Sequence, residues 1–319
     1  MSQTITARTL LVVMDPIQGI KPVKDTTLAL MLAAQEAGWQ LACADTEALA
    51  VRDGEARVHA RTVQVCDSTS DWYQLGDAVD TPLAAFPLIL MRKDPPFDQE
   101  YIYATYWLEL AEAAGSRVVN APRALRDCNE KGFITRFPAW IAPTLISRDA
   151  MALRAFHAEQ GEIVLKPLDG MGGQGVFAIG ADGRNLGAVI DTLSDTGRRS
   201  IMAQRYLPAI RDGDKRILMI DGEPVDHVLA RIPAEGETRG NLAAGGRGVV
   251  QPLNARDRAI AEAVGPHLRA RGIVFAGLDV IGECLTEINI TSPTCLREIQ
   301  RETGQDIAGR AFACMSRGL

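Results

Sequence analysis

A glycine-rich segment that begins with a lysine carries the clearest chemical signal in the sequence. It reads KPLDGMGGQG from Lys166 to Gly175, and Gly170, Gly172 and Gly175 match the GxGxxG pattern of dinucleotide-binding loops. That pattern requires a helix after the glycines, whereas the following VFAIG predicts a strand. We therefore interpret the glycines as the tip of a β-hairpin, a flap whose backbone N–H groups approach phosphate oxygens. The glycines alone fit an ordinary turn equally well, and Lys166 favours the phosphate.

A second lysine, Lys131, is the other candidate phosphate ligand. Asp127 and Glu130 have the spacing of a capping box, which predicts that a helix begins after Asp127. Lys131 then falls in the first helical turn, where a positive charge opposes the helix dipole. A solvated surface lysine is the commoner alternative, but the unfavourable position favours an anionic partner. No GxxxxGK(S/T) motif occurs, which excludes a P-loop.

Three oxygen-bearing side chains lie on two predicted neighbouring strands. Glu287 and Asn289 are two residues apart, so they share one face of a strand. A short turn at Gly282-Glu283 brings Asp279, on the preceding strand, back toward them. Carboxylate and carboxamide oxygens suit Mg²⁺ or Mn²⁺ held together with nucleotide phosphates. A polar edge-strand face is the alternative, but a carboxylate buried without a partner in the apolar run around Asp279 is costly.

The segment from 231 to 249 predicts a long, flexible loop. It contains five glycines together with Arg231, Arg239 and Arg247. A loop of this length with no structure of its own is usually functional or disordered. A lid that closes over a reacting phosphate and excludes water is one interpretation, and an ordinary surface loop is the other.

Two further segments are ambiguous. The stretch MRKDPP from Met91 to Pro96 ends a predicted strand, where open α/β sheets bind ligands, but it also fits a proline turn. Cys295 follows TSPT and has no histidine near it in sequence, so a plain thiol is favoured over a nucleophile.

The elements that position these residues change character near residue 121. Before it, strands alternate with helices, one starting after Asp25 and stopping at Gly38, the other running from Asp98 to Gly115. This alternation predicts a mostly parallel, doubly wound sheet.

After residue 121, strands and glycine-rich turns mix with helices in α+β organisation. Asp221-Gly222 suits the turn of a hairpin, and the same pattern of strand, turn and strand recurs around Gly282-Glu283. A helix is expected near residues 255–272, with a break or kink at Gly265-Pro266.

Composition limits the classes of protein to consider. The 319 residues carry 34 Lys and Arg against 40 Asp and Glu, a net charge of −6, which disfavours general binding to nucleic acid. Hydrophobic residues make up 47%, but no stretch approaches the roughly 20 residues that span a bilayer. The six cysteines form no CxxC pair, and no signal peptide is recognised. We therefore expect a reduced, cytoplasmic protein that binds neither nucleic acid nor membrane.

Taken together, these segments resemble the ATP-grasp ligases, and more narrowly the bacterial-type glutathione synthetases. The stretches that carry the resemblance are LMRKDPPF, YIYATY, LRDCNEK, LKPLDGMGG, YLPAIRDGDKR, ETRGNLAAGGRG and LTEINITSPTC. They extend over nearly the whole chain in one order. The resemblance implies α/β and α+β architecture, with a Rossmann-like N-terminal domain over residues 1–125. An ATP-grasp domain over 126–319 follows, with a central lobe of about 126–207 and a C-terminal lobe of about 208–319. It also implies a homotetramer.

The resemblance also implies a role for each matching residue. ATP would contact two lysines, the flap, the adenine-reading hinge and a residue near the ribose: Lys131, Lys166, Gly170, Gly172, Gly173, Gly175, Gln204, Tyr206, Leu207 and Asp214. Magnesium would be held by Asp279, Glu287 and Asn289, and the transferred phosphoryl group would face Arg216, Arg231, Arg239 and Arg247. The substrates would be bound by Arg92, Asn241, Ser292, Pro293 and Thr294. Arg205 departs from the smaller polar residue expected in the hinge, which is harmless if the hinge contacts are main-chain.

The activity implied is the ATP-dependent ligation of γ-glutamylcysteine to glycine through an acyl phosphate, which needs no covalent enzyme intermediate. Other ATP-grasp ligases, such as D-alanine–D-alanine ligases or glutamate-adding enzymes, are the nearest alternative. A nucleotide-binding module without catalysis is opposed by the intact lysines and metal residues. A nicotinamide-dependent oxidoreductase is opposed by the strand expected after Gly175.

Overall fold

The computed structural model describes residues 8–234 and 245–319, and a seven-stranded sheet forms the first part of the chain. Its strands are β1 (Thr9–Val13), β2 (Gln40–Ala44), β3 (Leu49–Arg52), β4 (Glu55–Val65), β5 (Tyr73–Pro82), β6 (Leu88–Met91) and β7 (Arg117–Val119). Strands β2, β1, β6 and β7 are parallel neighbours, as the alternation of strands and helices predicts. Strands β3, β4 and β5 extend the sheet in antiparallel pairing.

Two helices cover this sheet and begin where the sequence predicts. Helix α1 (Thr26–Glu36) starts after Asp25, which accepts a hydrogen bond from the Leu28 N–H. Helix α2 (Gln99–Ala113) starts after Asp98, which accepts one from the Tyr101 N–H. In both, an aspartate satisfies an N–H group that the first helical turn leaves unpaired.

The predicted helix start at Asp127 is wrong. Helix α3 (Pro122–Asp127) ends at Asp127. It begins five residues earlier, at Pro122, whose fixed backbone angle suits the first position of a helix. Before the following 3₁₀ turn (Gly132–Arg136), the side-chain oxygen of Asn129 accepts from the N–H groups of Lys131 and Gly132. Lys131 therefore precedes a short 3₁₀ turn and is not in the first turn of an α-helix.

A four-stranded antiparallel sheet forms the middle of the chain. Its spatial order is β10 (Phe177–Ile179), β9 (Ile163–Pro167), β11 (Ile201–Arg205) and β8 (Thr144–Ser147). Helices α4 (Ala150–Gln160) and α5 (Leu186–Leu193) pack with it around a separate apolar cluster. Strands β9 and β10 pair as a hairpin around the glycine segment, so the predicted strand after Gly175 is confirmed.

A five-stranded antiparallel sheet forms the last part. Its spatial order is β14 (Arg247–Pro252), β13 (Glu223–Ile232), β12 (Asp214–Ile220), β15 (Phe275–Ile281) and β16 (Cys284–Asn289). Helix α6 (Ala255–Arg269) lies against it, and helices α7 (Leu296–Thr303) and α8 (Ile307–Met315) end the chain. The turn between β12 and β13 has positive φ at Asp221 (50°) and Gly222 (76°), as a type I′ hairpin requires.

Two expectations about this region are corrected in part. The expected break at Gly265-Pro266 is not found, because helix α6 runs continuously through Pro266. Gly265 lets the helix approach the β12–β13 turn, since a Cβ at 265 would lie 2.1 Å from the Gly222 oxygen. The loop expected over 231–249 has structured ends, because Arg231 pairs with Gly248, and Ile232 with Arg247, in the β13–β14 ladder.

The first and last parts of the chain are joined closely. Asn120, just after β7, donates to the carbonyls of Phe275 and Ile290 at 2.7 Å and accepts from the N–H groups of Val274 and Phe275. Helices α7 and α8 share one apolar cluster with α1. None of the helices in the described ranges combines the length and apolar character that crossing a membrane requires.

Candidate functional site

A cavity of about 870 Å³ opens between the three sheets and gathers most of the predicted site residues. The residues that line it come from the end of β1, the loop after β6, the flap, the hinge after β11, and one face of β12, β13, β15 and β16. The predicted residues among them are Arg92, Lys131, Lys166, Gly170, Gly172, Gly173, Gln204, Tyr206, Leu207, Asp214, Arg216, Arg231, Asp279, Glu287, Asn289, Ser292, Pro293 and Thr294.

Two buried lysines meet at the base of the flap. Lys131 is 2% exposed and donates to the Gly170 carbonyl at 2.6 Å. It pairs with Glu130 at 2.5 Å and with Glu287 at 3.5 Å. Burial opposes its charge, but these carboxylates outweigh burial and raise the pKa of Lys131.

Lys166 is less well compensated than Lys131. Its ammonium lies 3.8 Å from Glu287 and 3.5 Å from the Thr286 carbonyl, and the residue is 6% exposed. Burial lowers the pKa of Lys166, and Glu287 offsets this only in part. The two lysines thus share one carboxylate, and an anion placed beside Lys166 would relieve the cost of burying its charge.

The flap has the backbone that glycines permit. Gly172, Gly173 and Gly175 have φ of 62°, 79° and 69°, in the left-handed region that other residues rarely adopt. A Cβ at Gly170 would lie 2.7 Å from Pro167 Cγ. Gly175 itself does not line the cavity within the described part of the chain.

The predicted hinge follows β11, the strand that pairs with β9 beside the flap. Gln204 is buried at the end of β11 and donates to the Thr144 hydroxyl at 2.9 Å. The Tyr206 N–H donates to the Glu162 carbonyl at 2.9 Å. Arg205, the departure from the family pattern, lines the cavity but is exposed.

A cluster of buried charges occupies one face of β12, β13 and β15. Asp279, 3% exposed, lies 2.5 Å from Arg216 Nε, 3.0 Å from Arg216 Nη2 and 2.9 Å from Arg231 Nη2. Arg231 also contacts Asp214 at 2.6 Å. The sheet register explains the grouping, because Arg216 is opposite Asp279 and Asp214 is opposite Arg231.

The two carboxylates of this cluster have opposite pKa shifts. Burial alone would raise the pKa of Asp279, but the guanidinium groups of Arg216 and Arg231 outweigh it and lower that pKa well below its usual range. Burial raises the pKa of Asp214 to about 6 in spite of Arg231. The Oδ1 atom of Asp214 is buried without a hydrogen-bond partner among the described residues.

The predicted metal residues lie side by side. Asp279 is directly opposite Glu287, and Asn289 is opposite Gly277, so all three project from one face of the β15–β16 pair. Asn289 Nδ2 is 3.3 Å from Asp279 Oδ2. Within residues 8–234 and 245–319 there is no group of three or more His, Cys, Asp or Glu arranged to hold a metal ion. The protein thus offers two carboxylates and one amide, an oxygen-only set.

The remaining end of the cavity is formed by the N-terminal sheet and the segment after β16. Arg92 is 4% exposed, and it donates to Thr27 Oγ1 and to the Pro293 carbonyl, both at 3.1 Å. This links the MRKDPP segment to Ser292–Thr294. Cys295 is buried here, and burial raises the pKa of its thiol, which fits the expected plain thiol.

Sequence reasoning missed several residues that line the cavity. The sequence indicates only a capping function for Asp25 and Glu130, and no sequence pattern singles out Thr27 or Glu298. Of the predicted lid residues, Arg247 is exposed at the start of β14 and is not part of the cavity lining, and Arg239 and Asn241 lie outside the described residues.

Comparisons with known proteins agree over nearly the whole chain. The model of the prokaryotic glutathione synthetase N-terminal domain matches residues 9–126, and that of the prokaryotic glutathione synthetase ATP-grasp domain matches residues 130–304. A glutathione synthetase of Pseudomonas putida is 55% identical over 308 residues, 97% of each chain. One of Pseudomonas aeruginosa is 58% identical over 290 residues, 91% of this chain and 92% of the relative.

Solved structures show the same fold at much lower identity. The D-cycloserine synthetase DcsG superposes with a TM-score of 0.68 at 16% identity, covering 96% of this chain and 98% of that one. An ATP-grasp protein with a RimK domain from Sphaerobacter thermophilus gives 0.62 at 17% identity, covering 97% and 99%. The α/β and α+β architecture expected from the sequence is thereby confirmed.

Proposed function

Since the chain belongs to the prokaryotic glutathione synthetase family and so makes glutathione in an ATP-dependent ligation, we propose that the cavity between its three sheets is the active site. The observation that carries the proposal is the meeting of two buried lysines beneath a glycine hairpin. Among the described residues, the ion pair of Lys166 is with Glu287, which Lys131 shares, so a phosphate is the partner that its position favours.

In this proposal ATP lies between the flap and the last sheet. Lys131 and Lys166 contact its phosphates, the backbone of Gly170–Gly175 covers them, and Gln204–Leu207 borders the adenine. When the nucleotide binds, Lys131 exchanges part of its pairing with Glu130 and Glu287 for phosphate oxygens. Asp214 lies toward the ribose.

The oxygen-only set of Asp279, Glu287 and Asn289 fits Mg²⁺, or Mn²⁺, which commonly takes one or two carboxylates plus phosphates and water. Asp279 already accepts three contacts from guanidinium N–H groups and one from the Asn289 amide. A carboxylate has about four lone-pair sites, so these contacts occupy them. Glu287 and Asn289 would therefore hold the ion directly, and Asp279 would join by giving up one of these contacts. When bound, the ion supplies positive charge that neutralises the phosphates.

The proposed chemistry is two successive transfers. The γ-phosphoryl group of ATP passes to the cysteinyl carboxylate of γ-glutamylcysteine, giving an acyl phosphate and ADP. The amine of glycine attacks the acyl carbon, and inorganic phosphate leaves as the peptide bond forms. Arg216 and Arg231 stabilise the negative charge that is transferred, and the closed cleft keeps water from the acyl phosphate. Catalysis is then positioning and charge neutralisation.

The remaining roles complete the proposal. Arg92 and Ser292–Thr294 bind γ-glutamylcysteine, and the segment carrying Arg239, Asn241 and Arg247 closes over it. Residues 1–125 and 126–319 form the two domains. The chain works in the cytoplasm, which its six free cysteines support, and as a homotetramer, which the family resemblance supports and light scattering of the purified protein tests.

Phosphate release with each component omitted in turn tests the activity. With ATP, Mg²⁺, γ-glutamylcysteine and glycine present, we expect glutathione and phosphate in equal amounts. Without glycine, phosphate release should fall to a slow leak, and without the dipeptide it should stop. Full turnover with D-alanine in place of both substrates, or no turnover with the complete mixture, would overturn the proposal.

A further inference from the structure

Glu298 is a carboxylate that lines the cavity, and one of its two oxygens has no hydrogen-bond partner among the described residues. It lies in the first turn of α7 and lines the cavity. Its Oε2 atom is buried and accepts no hydrogen bond from the described residues. Burial raises the pKa of Glu298, and a hydrogen bond with its own backbone and the charges of Lys24, Arg301 and Arg297 offset this only in part. A cationic ligand group would remove this cost.

Two neighbouring carboxylates at this end are already occupied. Asp15 pairs with Lys93 and accepts the Asp94 N–H at 2.9 Å. Asp25 accepts the Leu28 N–H at 2.7 Å as the cap of α1. Glu298 differs from both, because its Oε2 atom accepts no hydrogen bond from any described residue.

Arg92 is the complementary case, a buried cation at the same end of the cavity. Its two hydrogen bonds go to neutral oxygens, those of Thr27 and Pro293. Burial lowers the pKa of Arg92, and Asp25 and Asp94 offset this only at longer range. Arg92 thus fits an anionic ligand group, within the same cavity in which Glu298 fits a cationic one.

We infer that this end of the cavity recognises a zwitterionic head group, in which Glu298 receives an α-ammonium and Arg92 an α-carboxylate. This rests on the proposed function, which supplies such a group, since the γ-glutamyl end of γ-glutamylcysteine carries both charges. The Pro293 carbonyl, held by Arg92, lies in the segment that continues from β16, where Glu287 and Asn289 are. The same segment therefore connects the recognising end to the reacting end, and Glu298 determines specificity for a γ-glutamyl donor.

The test compares γ-glutamylcysteine with glutarylcysteine, the same molecule without its α-amino group. Glu298→Gln keeps the size of the side chain and removes its charge. We expect it to raise the KM for γ-glutamylcysteine about tenfold or more, as for the loss of a hydrogen bond to a charged group. The KM values for glutarylcysteine, ATP and glycine should change by less than about twofold. Turnover of glutarylcysteine by the variant also shows that it is folded.

Glu302→Gln is the matched control, because Glu302 is exposed on the same helix. It should change none of these constants. In Glu298→Gln, an equal rise in KM for both peptides, no rise for either, or a rise in the KM for glycine only would overturn this inference and leave the proposed function standing. A wild-type protein that ligates neither peptide would overturn the proposed function and this inference with it.

Discussion

The charge of Asp279 holds two buried guanidinium groups together, and its removal should destabilise the protein strongly. Asp279→Asn keeps the size of the side chain but deprives Arg216 of the carboxylate 2.5 Å away, while Arg231 keeps Asp214. Breaking a buried ion pair from one side costs about 3–5 kcal/mol, because the remaining charge is left uncompensated. That is a large part of the roughly 5–15 kcal/mol by which native proteins are stable.

Thermal unfolding without nucleotide or metal measures this cost. With an unfolding entropy of about 2.1 cal/mol/K per residue, each kcal/mol lowers the Tm of a 319-residue chain by about 1.5 °C, so we expect a fall of about 4–8 °C. Asp226→Asn is the control. Asp226 lies on β13 of the same sheet, its side chain is 67% exposed, and it pairs with Arg258 of α6 at 3.1 Å. Such exposed pairs contribute about 0–1 kcal/mol. Equal falls in Tm for the two variants would refute the reasoning from burial.

The sign of the pH dependence follows from the same contacts. Burial opposes ionisation of Asp279, but the arginines outweigh it, so folding lowers its pKa below the ordinary value of about 3.9. Its contribution to stability is therefore complete above that value and is lost as the pH falls through the folded pKa. The difference in stability between wild type and Asp279→Asn should be constant near neutral pH and shrink only in acid.

Three further predictions concern the flap and the charged face. Glu287→Gln should keep the fold, by circular dichroism, and lower kcat by about 100-fold or more, the scale of a lost charge-stabilising contact; near-normal turnover at saturating Mg²⁺ would remove Glu287 from the ligand set. Gly172→Val should raise the KM for ATP, because φ at Gly172 is 62° and a branched side chain keeps the flap backbone away from the phosphates. The control Gly54→Val (φ 85°), in the β3–β4 turn, should leave this KM unchanged. Unchanged ATP kinetics in Gly172→Val would mean that the flap is an ordinary turn. Burial raises the pKa of Asp214 to about 6, so the contribution of Asp214 to stability should fall as the pH rises from about 4 to 6. In Asp214→Asn, the unfolding free energy should not show this decrease with pH. The same decrease in wild type and variant would contradict the prediction.

Local patterns made much of the fold predictable from the sequence. Asp25 and Asp98 act as caps because each acts on backbone groups three residues away, and the turn at Asp221-Gly222 needs only two residues with positive φ. The two-residue period places Glu287 and Asn289 on one face without knowledge of any other strand. The failures are also local: Asp127 and Asn129 both have cap chemistry, and only the helix that begins at Pro122 decides between them.

The site's electrostatics, by contrast, depend on pairings that no single segment encodes. Whether Asp279 is a stabilising anion or a costly one depends on Arg216 and Arg231, which reach it from strands β12 and β13, and the sequence leaves the register of those strands open. The sequence does not single out Glu298 for the same reason, since an oxygen without a hydrogen bond is recognised only when its neighbours are known. Sequence motifs therefore predict which residues surround the cleft. Whether each buried charge stabilises or destabilises the protein, and by how much free energy, follows from three-dimensional contacts. The bound substrates are expected to relieve the free-energy cost of those charges that lack a full partner.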